Sequence, residues 1–127
     1  MRIEGTIVPG KQLGRTLGFP TANLQADAVP EIKNGVYAAW FFIGQERLPC
    51  MLNIGHHPTV PDGAPTIEAH IFNFGGDIYG MRAAVDTVSF LRSEQKFPSV
   101  EALRQQLALD RENALNILNN NEIPGIE

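Results

Sequence analysis

The segment TIEAHIF, residues 66–72, places apolar and polar side chains in alternation. In an extended chain its two isoleucines and Ala69 face one side, and Glu68, His70 and Phe72 face the other. A strand of this kind buries one face in a core and leaves the other partly exposed, as strands of antiparallel sheets do. The segment therefore predicts a strand of an antiparallel β-structure.

Four further segments have the composition of strands, and glycine and proline residues separate them. Several of these runs are rich in β-branched or aromatic residues, which pack well on a pleated surface. With a slightly longer version of the first segment included, the predicted strands are Met1–Val8, Gly35–Ile43, Leu48–Ile54, Thr66–Phe74 and Ala83–Phe90.

The pattern changes after residue 98, where a helix is predicted from Ser99 to about Asn119. Ser99 is a suitable N-cap, and Glu101 in the first turn complements the helix dipole. Asp110 interrupts the apolar stripe, so a break into two helices at this position stays open. The apolar residues that recur at helical spacing are Val100, Leu103, Leu107, Ala114 and Leu118.

Strands followed by a helix predict one domain, residues 1–127, in which a small antiparallel barrel packs against a C-terminal helix. With 127 residues and 43% hydrophobic content, the chain is long enough to bury a core of its own. Closing the sheet into a barrel would remove its exposed edges.

Charge and apolar content exclude several classes of function. The net charge of -4 argues against non-specific nucleic-acid binding, which needs a basic surface. Cys50 is the single cysteine, so no internal disulfide can form. No run approaches 18 apolar residues, so we expect no membrane span and a cytoplasmic protein.

A glycine-rich segment near the N-terminus is a candidate for phosphate binding. Three glycines, Lys11 and Arg15 lie within the nine residues from Gly10 to Gly18. Glycines let backbone N–H groups approach an anion closely. The Gly-Lys-[Ser/Thr] ending of a Walker A loop is absent, so an ordinary glycine-rich connection is the alternative interpretation.

The element PTAN, residues 20–23, offers the oxygens of Thr21 and Asn23 two residues apart. In an extended chain these side chains would face the same side. A hydroxyl and an amide carbonyl are hard ligands that suit Mg²⁺ shared with phosphates. The alternative is a turn in which both side chains bond to nearby backbone groups.

Glu68 is an unusual residue for the middle of a predicted strand. Glutamate is depleted in strands and is costly to bury without a partner. The residues alone leave three interpretations open: a solvated outward side chain, an ion-pair partner, or a general base.

Together these segments resemble the riboflavin kinase, or flavokinase, family. The PTAN element and the element that runs from Glu68 to Asp-x-Tyr-Gly are each specific to that family. The stretches occur in the family's order and cover nearly the whole chain. They are GRTLGFPTAN at 14–23, GVYAAW at 35–40, NIGHHPT at 53–59, TIEAHIFNFGGDIYG at 66–80 and LRSEQKFPSVEALRQQL at 91–107.

The resemblance implies a six-stranded Greek-key barrel with a C-terminal helix. It implies an enzyme that transfers the γ-phosphoryl group of ATP to the 5′-hydroxyl of riboflavin, making FMN and ADP. Mg²⁺ or another divalent cation would be bound through Thr21, with Asn23 beside the metal and the phosphates. Glu68 would accept the proton of the riboflavin hydroxyl.

Further positions of this chain match ligand-lining positions of the family. Those that match the nucleotide site are Gly10, Arg15, Ile71, Asn73 and Tyr79. Those that match the flavin site are Arg92, Gln95 and Phe97.

The chain also departs from the family's pattern. His57 stands where bacterial members commonly have arginine, and Ala69 stands where a larger β-branched residue is usual. Many bacterial members are fused to an FMN adenylyltransferase domain, so fusion to or pairing with such a domain is an expected partnership. The alternative function is a barrel that binds flavin or nucleotide without catalysis. The joint presence of Thr21, Asn23 and Glu68 argues against that alternative.

Overall fold

Six strands precede one helix in the computed structural model, which describes residues 1–8, 21–56, 65–72, 74 and 77–121. The strands pair only with antiparallel neighbours and close into a barrel in the order β1-β2-β5-β4-β3-β6. The predicted antiparallel barrel with a C-terminal helix is confirmed. The elements are β1 (Arg2–Val8), β2 (Ala22–Ala26), β3 (Gly35–Ile43), β4 (Glu46–His56), β5 (Pro65–Ile71), β6 (Arg82–Arg92) and α1 (Val100–Asn121).

The five strands predicted from composition are all present. Strand β3 has the predicted bounds, whereas β4 is two residues longer at each end and β5 ends three residues earlier than predicted. Strand β2 is an addition, because only a short extended segment or a turn was expected around residues 20–23. It pairs with β1 on one side and with β5 on the other, and thereby closes the barrel.

The barrel interior is filled by side chains that alternate inward along the strands. Ile67, Ala69 and Ile71 belong to this interior cluster, as the alternation in residues 66–72 predicts. Glu68 therefore points to the outer surface of the barrel. The largest fully buried interior side chains are Ile7, Phe41, Leu52, Ile54, Ile67 and Val85.

Helix α1 begins as predicted and continues without a break. Ser99 caps it, since the amide of Ala102 donates to the Ser99 hydroxyl at 3.0 Å. The suggested break at Asp110 is wrong. Its carboxylate lies on the buried face of the helix and accepts hydrogen bonds from Arg92 and Gln106. Val100, which was included in the apolar stripe, is 59% exposed.

The helix covers part of the outer face of the barrel. Ala114 and Leu118 pack there against Ala38 of β3, Met51 of β4 and Phe72, which directly follows β5. Strands β3 and β4 therefore bury apolar residues on both faces where the helix lies. Within the described residues, no helix is both long enough and apolar enough to cross a membrane.

Cys50 lies in the barrel interior and is fully buried. Burial raises the pKa of its thiol far above the usual range, so the reactive thiolate does not form at neutral pH. The cysteine therefore acts as a small apolar core residue.

The buried contact between α1 and the barrel can be measured with one matched pair of leucines. Leu118→Ala should lower the free energy of unfolding by about 2–5 kcal/mol, because it removes a fully buried side chain and leaves a cavity. Leu109→Ala, at a position 55% exposed on the same helix, should change it by less than about 0.5 kcal/mol. Urea unfolding followed by circular dichroism measures both. Equal losses would contradict the described packing.

Candidate active site

Three polar side chains lie side by side across the outer face of the barrel. The register pairs Glu68 of β5 with Asn23 of β2 on one side and with Asn53 of β4 on the other. Directly paired residues on one face of a sheet have Cβ atoms about 4.5–5.5 Å apart. All three point outward, since the residues before and after each of them face the core. Strand pairing thus builds a polar row in which Glu68 is central.

The side chains of this row are half-buried, and one of their polar atoms lacks a hydrogen-bond partner within the described residues. The Nδ2 atom of Asn23 is buried and has no hydrogen-bond partner in this part of the chain. No described residue forms an ion pair with Glu68. A buried amide without a partner costs about 1–3 kcal/mol, so the arrangement favours a polar ligand against these groups.

One of the three interpretations of Glu68 loses support from this geometry. The side chain is not a fully solvated one, since it is half-buried. The ion-pair interpretation stays open, because Lys11 and Arg15 lie outside the described residues. The general-base interpretation also stays open, since a carboxylate between two amides can accept a proton from a bound hydroxyl.

Thr21 directly precedes β2 and is half-buried, so its hydroxyl lies close along the chain to the polar row. In the described part of the chain no group of three or more His, Cys, Asp and Glu residues is placed to hold a metal ion. The hydroxyl of Thr21 and the amide of Asn23 carry oxygens of the kind that Mg²⁺ prefers when it is shared with a bound phosphate.

The residues matched to the nucleotide site have different surroundings. The side chain of Ile71 packs in the barrel interior, so only its backbone can face a ligand. Tyr79 is 40% exposed in a turn that is fixed to β1, because the amide of Gly80 donates to the carbonyl of Ile7 at 2.7 Å. The next residue of β1, Val8, pairs with Asn23, so this turn lies at the same end of the barrel as the polar row. Gly10, Arg15 and Asn73 lie outside the described residues.

The residues matched to the flavin site follow the end of β6. Arg92 pairs with Val36 of β3, which in turn pairs with Asn53, so Arg92 belongs to the same row around the barrel as Glu68. Phe97 is half-buried, and its ring centroid lies 5.7 Å from the Arg92 guanidinium carbon. Gln95 is exposed on the same segment.

Residues 93–97 follow β6 and approach the end of β4. The carboxylate of Glu94 lies against Gly55, where an added Cβ atom would be 2.5 Å from Glu94 Oε2. A side chain at Gly55 would point to the outer face, since Gly55 lies two positions beyond the outward-facing Asn53. The absence of a side chain at Gly55 therefore lets this segment lie close to the barrel, beside the polar row.

Two residues of this region were not singled out from the sequence, Asn53 and Glu94, and Asp110 was considered only as a possible break in the helix. Asn53 carried a usable signal, because it is polar and alternates with Leu52 and Ile54 in an apolar strand. Glu94 carried none, since a charged residue in a polar segment is usually solvated.

Comparison with known proteins identifies the family. The riboflavin kinase family model matches residues 1–118. The chain is 40% identical over 109 residues to an RNA-binding riboflavin kinase of Bacillus subtilis, a match that covers 85% of this chain and 47% of that protein. It is 38% identical over 109 residues to the bifunctional riboflavin kinase/FMN adenylyltransferase of Escherichia coli K12, covering 85% of this chain and 35% of that protein.

A solved structure agrees with these relatives. The riboflavin kinase of Trypanosoma brucei superposes with a TM-score of 0.73 at 27% identity, over 93% of this chain and 79% of that chain. The chain spans roughly a third to a half of the length of the two curated relatives. Since the family match extends over residues 1–118 of 127, the chain belongs to the riboflavin kinase family.

Proposed function

We propose that this domain transfers the γ-phosphoryl group of ATP to the 5′-hydroxyl of riboflavin and releases FMN and ADP. The main support for the proposal is the row of Asn23, Glu68 and Asn53. In this row a half-buried carboxylate, which has no ionic partner among the described residues, lies between two amides. Membership of the riboflavin kinase family supports it. Phosphoryl transfer mainly needs positioned groups and a carboxylate at the acceptor hydroxyl, which this row can supply.

Glu68 is the general base in this mechanism. Its carboxylate accepts a hydrogen bond from the 5′-hydroxyl and takes the proton as the hydroxyl oxygen bonds to the γ-phosphorus. The bond from that phosphorus to the oxygen bridging the β- and γ-phosphates breaks at the same time, and the electron pair leaves with ADP. Asn23 and Asn53 flank Glu68 on the neighbouring strands, so their amides lie beside the place where the hydroxyl would bind.

Thr21 and Asn23 would hold a divalent cation of the Mg²⁺ type. The fit rests on the hydroxyl oxygen of Thr21 and the amide oxygen of Asn23, which are hard ligands two residues apart. The buried Nδ2 atom of Asn23, which has no hydrogen-bond partner among the described residues, would instead donate to a phosphate oxygen. When bound, such a cation neutralises charge on the phosphate oxygens. Thr21 and Asn23 also fix the distance of the phosphates from Glu68, since Asn23 is its direct neighbour in the sheet.

The flavin ring system would lie between residues 92–97 and the start of α1. A large planar ligand needs an apolar surface with a few polar groups that set its orientation. Phe97 provides an aromatic face, and the exposed Gln95 amide provides a donor and an acceptor beside it.

We also propose that the domain is fused to or paired with an FMN adenylyltransferase. The name of the Escherichia coli relative gives both the riboflavin kinase and the FMN adenylyltransferase activity. We do not propose that this domain binds nucleic acid, although RNA binding is in the name of the Bacillus subtilis relative. The acidic balance of this chain still predicts no such binding.

Incubation with riboflavin and MgATP tests the proposed reaction. Chromatography should show FMN and ADP appearing in equal amounts. A barrel that only binds flavin or nucleotide would quench riboflavin fluorescence or bind ATP without forming either product, and that result would contradict the proposal. Mixing the protein with labelled RNA in a gel-shift assay should give no complex.

Glu68→Gln keeps the size of the side chain and removes its basicity. It should lower kcat by about 10²–10⁴-fold, the usual range for a positioned general base, and leave riboflavin and ATP affinities within several-fold of the parent. Single-turnover kinetics and a thermal melt on the same sample measure this. Glu46→Gln is the matched control, because Glu46 is an exposed carboxylate at the other end of the adjacent strand β4. A normally folded Glu68→Gln protein with full activity would eliminate the base.

Thr21→Ala removes the proposed cation ligand without changing the barrel. Activity at a fixed Mg²⁺ concentration should fall by about 10–100-fold or more, because mutation of a residue that only hydrogen-bonds to a metal ligand already has an effect of this size. The Mg²⁺ concentration for half-maximal activity should rise, and the melting temperature should stay near that of the parent. Thr6→Ala, on the partner strand β1, is the control. Unchanged Mg²⁺ dependence would show that Thr21 does not bind the cation.

Phe97→Ala removes the proposed aromatic surface of the flavin slot. Riboflavin affinity should fall roughly tenfold or more, because loss of one aromatic stacking partner costs about 1–3 kcal/mol. ATP affinity should not change, since Phe97 follows β6 whereas the proposed nucleotide ligands lie around β2. Fluorescence titration measures the first affinity and calorimetry the second. Equal losses for both ligands would argue for a general folding defect.

A further inference from the structure

Arg92 and Asp110 form a partly buried ion pair between the end of β6 and the middle of α1. Arg92 Nη2 donates to Asp110 Oδ2 at 2.7 Å, and Nε lies 3.0 and 3.1 Å from the two carboxylate oxygens. The Asp110 residue is 1% exposed, and Gln106 donates a further hydrogen bond to its Oδ1 atom at 3.0 Å. The carboxylate is thus held by two side chains.

The same guanidinium also reaches the segment proposed to contact the flavin. Arg92 Nη1 donates to the carbonyl of Ser93 at 3.1 Å, and the Phe97 ring lies within cation–π distance of Arg92. Arg92 therefore connects three parts of the molecule: the helix, the backbone just after β6, and the aromatic ring of the proposed slot.

Stability alone does not account for an aspartate at this position. Asp110 lies on the helix face that carries Leu107, Ala114 and Leu118. A well-packed apolar side chain in place of a buried ion pair is often neutral or stabilising. An ion pair with fork geometry instead fixes the relative position of its two partners, because it tolerates only one arrangement.

We propose that Asp110 is a positioning residue for riboflavin. It holds the Arg92 guanidinium, which in turn orders residues 93–97 against the barrel, with Glu94 seated on Gly55 and the Phe97 ring set for the flavin. Arg92 then acts through the segment that it holds and not by direct contact with the flavin. This inference rests on the proposed function, because it concerns the riboflavin side of the same site.

A double-mutant cycle on riboflavin affinity tests the inference. Asp110→Asn and Arg92→Gln should each raise the riboflavin Kd roughly tenfold, the scale expected when one or two contact side chains must be ordered on binding. The double variant should be no worse than either single variant, and ATP affinity should stay unchanged in all three. If Arg92→Gln weakens riboflavin binding far more than Asp110→Asn does, Arg92 contacts the flavin directly and the proposal is wrong.

Hydrogen exchange gives a second measurement that does not depend on activity. Asp110→Asn should speed exchange in residues 93–98 and leave the strands of the barrel protected as in the parent. Glu101→Gln is the control, since it removes an exposed ion pair with Arg104 on the same helix and should change neither exchange nor riboflavin affinity. Unchanged exchange in residues 93–98 of Asp110→Asn would overturn the proposal.

If Asp110→Asn does not fold, Gln106→Leu replaces it, because that change removes one hydrogen bond to Asp110 and leaves the ion pair in place. It should give a smaller loss of riboflavin affinity with the same faster exchange in residues 93–98, and no effect on either would count against the proposal. Riboflavin binding by the parent protein distinguishes a failure of the proposed function from a failure of the proposed role of Asp110. Absence of riboflavin binding by the parent would contradict the proposed function, whereas normal binding with unaltered variants would contradict only the role of Asp110.

Discussion

The register between β2, β5 and β4 determines where the polar row of Asn23, Glu68 and Asn53 lies. Because side chains alternate along a strand, a slip of one residue would turn Glu68 into the barrel interior and put Ile67 on the surface. The interior apolar cluster prevents this slip, since Ile67 and Ala69 must stay in the core. The free energy of core packing therefore also sets the position of the carboxylate between Asn23 and Asn53.

The helix gives the barrel an inner and an outer buried region. Ala114 and Leu118 cover apolar residues on the outer face, while the neighbouring part of that face carries the polar row. Arg92 lies where these two regions meet, because it pairs with β3 and is bound by Asp110 of the helix. Helix packing and the proposed flavin segment are in this way coupled through one guanidinium. If the proposed role of Asp110 holds, a stable helix position is a condition for order in the proposed flavin segment.

Most of the fold could be predicted from alternation and composition, and the exceptions have physical causes. Strand β3 has the predicted bounds, since its run is rich in aromatic residues and a glycine begins it. Strand β2 was missed because ANLQA has little intrinsic strand preference, and its pairing with β1 and β5 supplies what the local sequence lacks. The break that the sequence left open at Asp110 does not occur; Arg92, the partner of Asp110, lies 18 positions away, and local patterns do not show such contacts.

The site was harder to predict from the sequence than the fold. From the residues alone, Glu68 had three interpretations, and PTAN had two. The register removed part of this uncertainty by placing Glu68 beside Asn23, which no local pattern reveals. For Ile71, alternation predicted an inward side chain whereas the family resemblance matched it to the nucleotide site, and the structure places the side chain in the core.

We propose that the ligands bind on the outer face of the barrel along the row from Asn23 to Asn53. Backbone amide shifts of ¹⁵N-labelled protein, recorded with riboflavin and MgADP added in turn, locate the bound ligands. We expect the amides of Asn23, Glu68 and Asn53 to shift, while those of the turn between β3 and β4 at Gly44 stay in place. Shifts confined to the Gly44 end of the barrel, with the row unchanged, would contradict it.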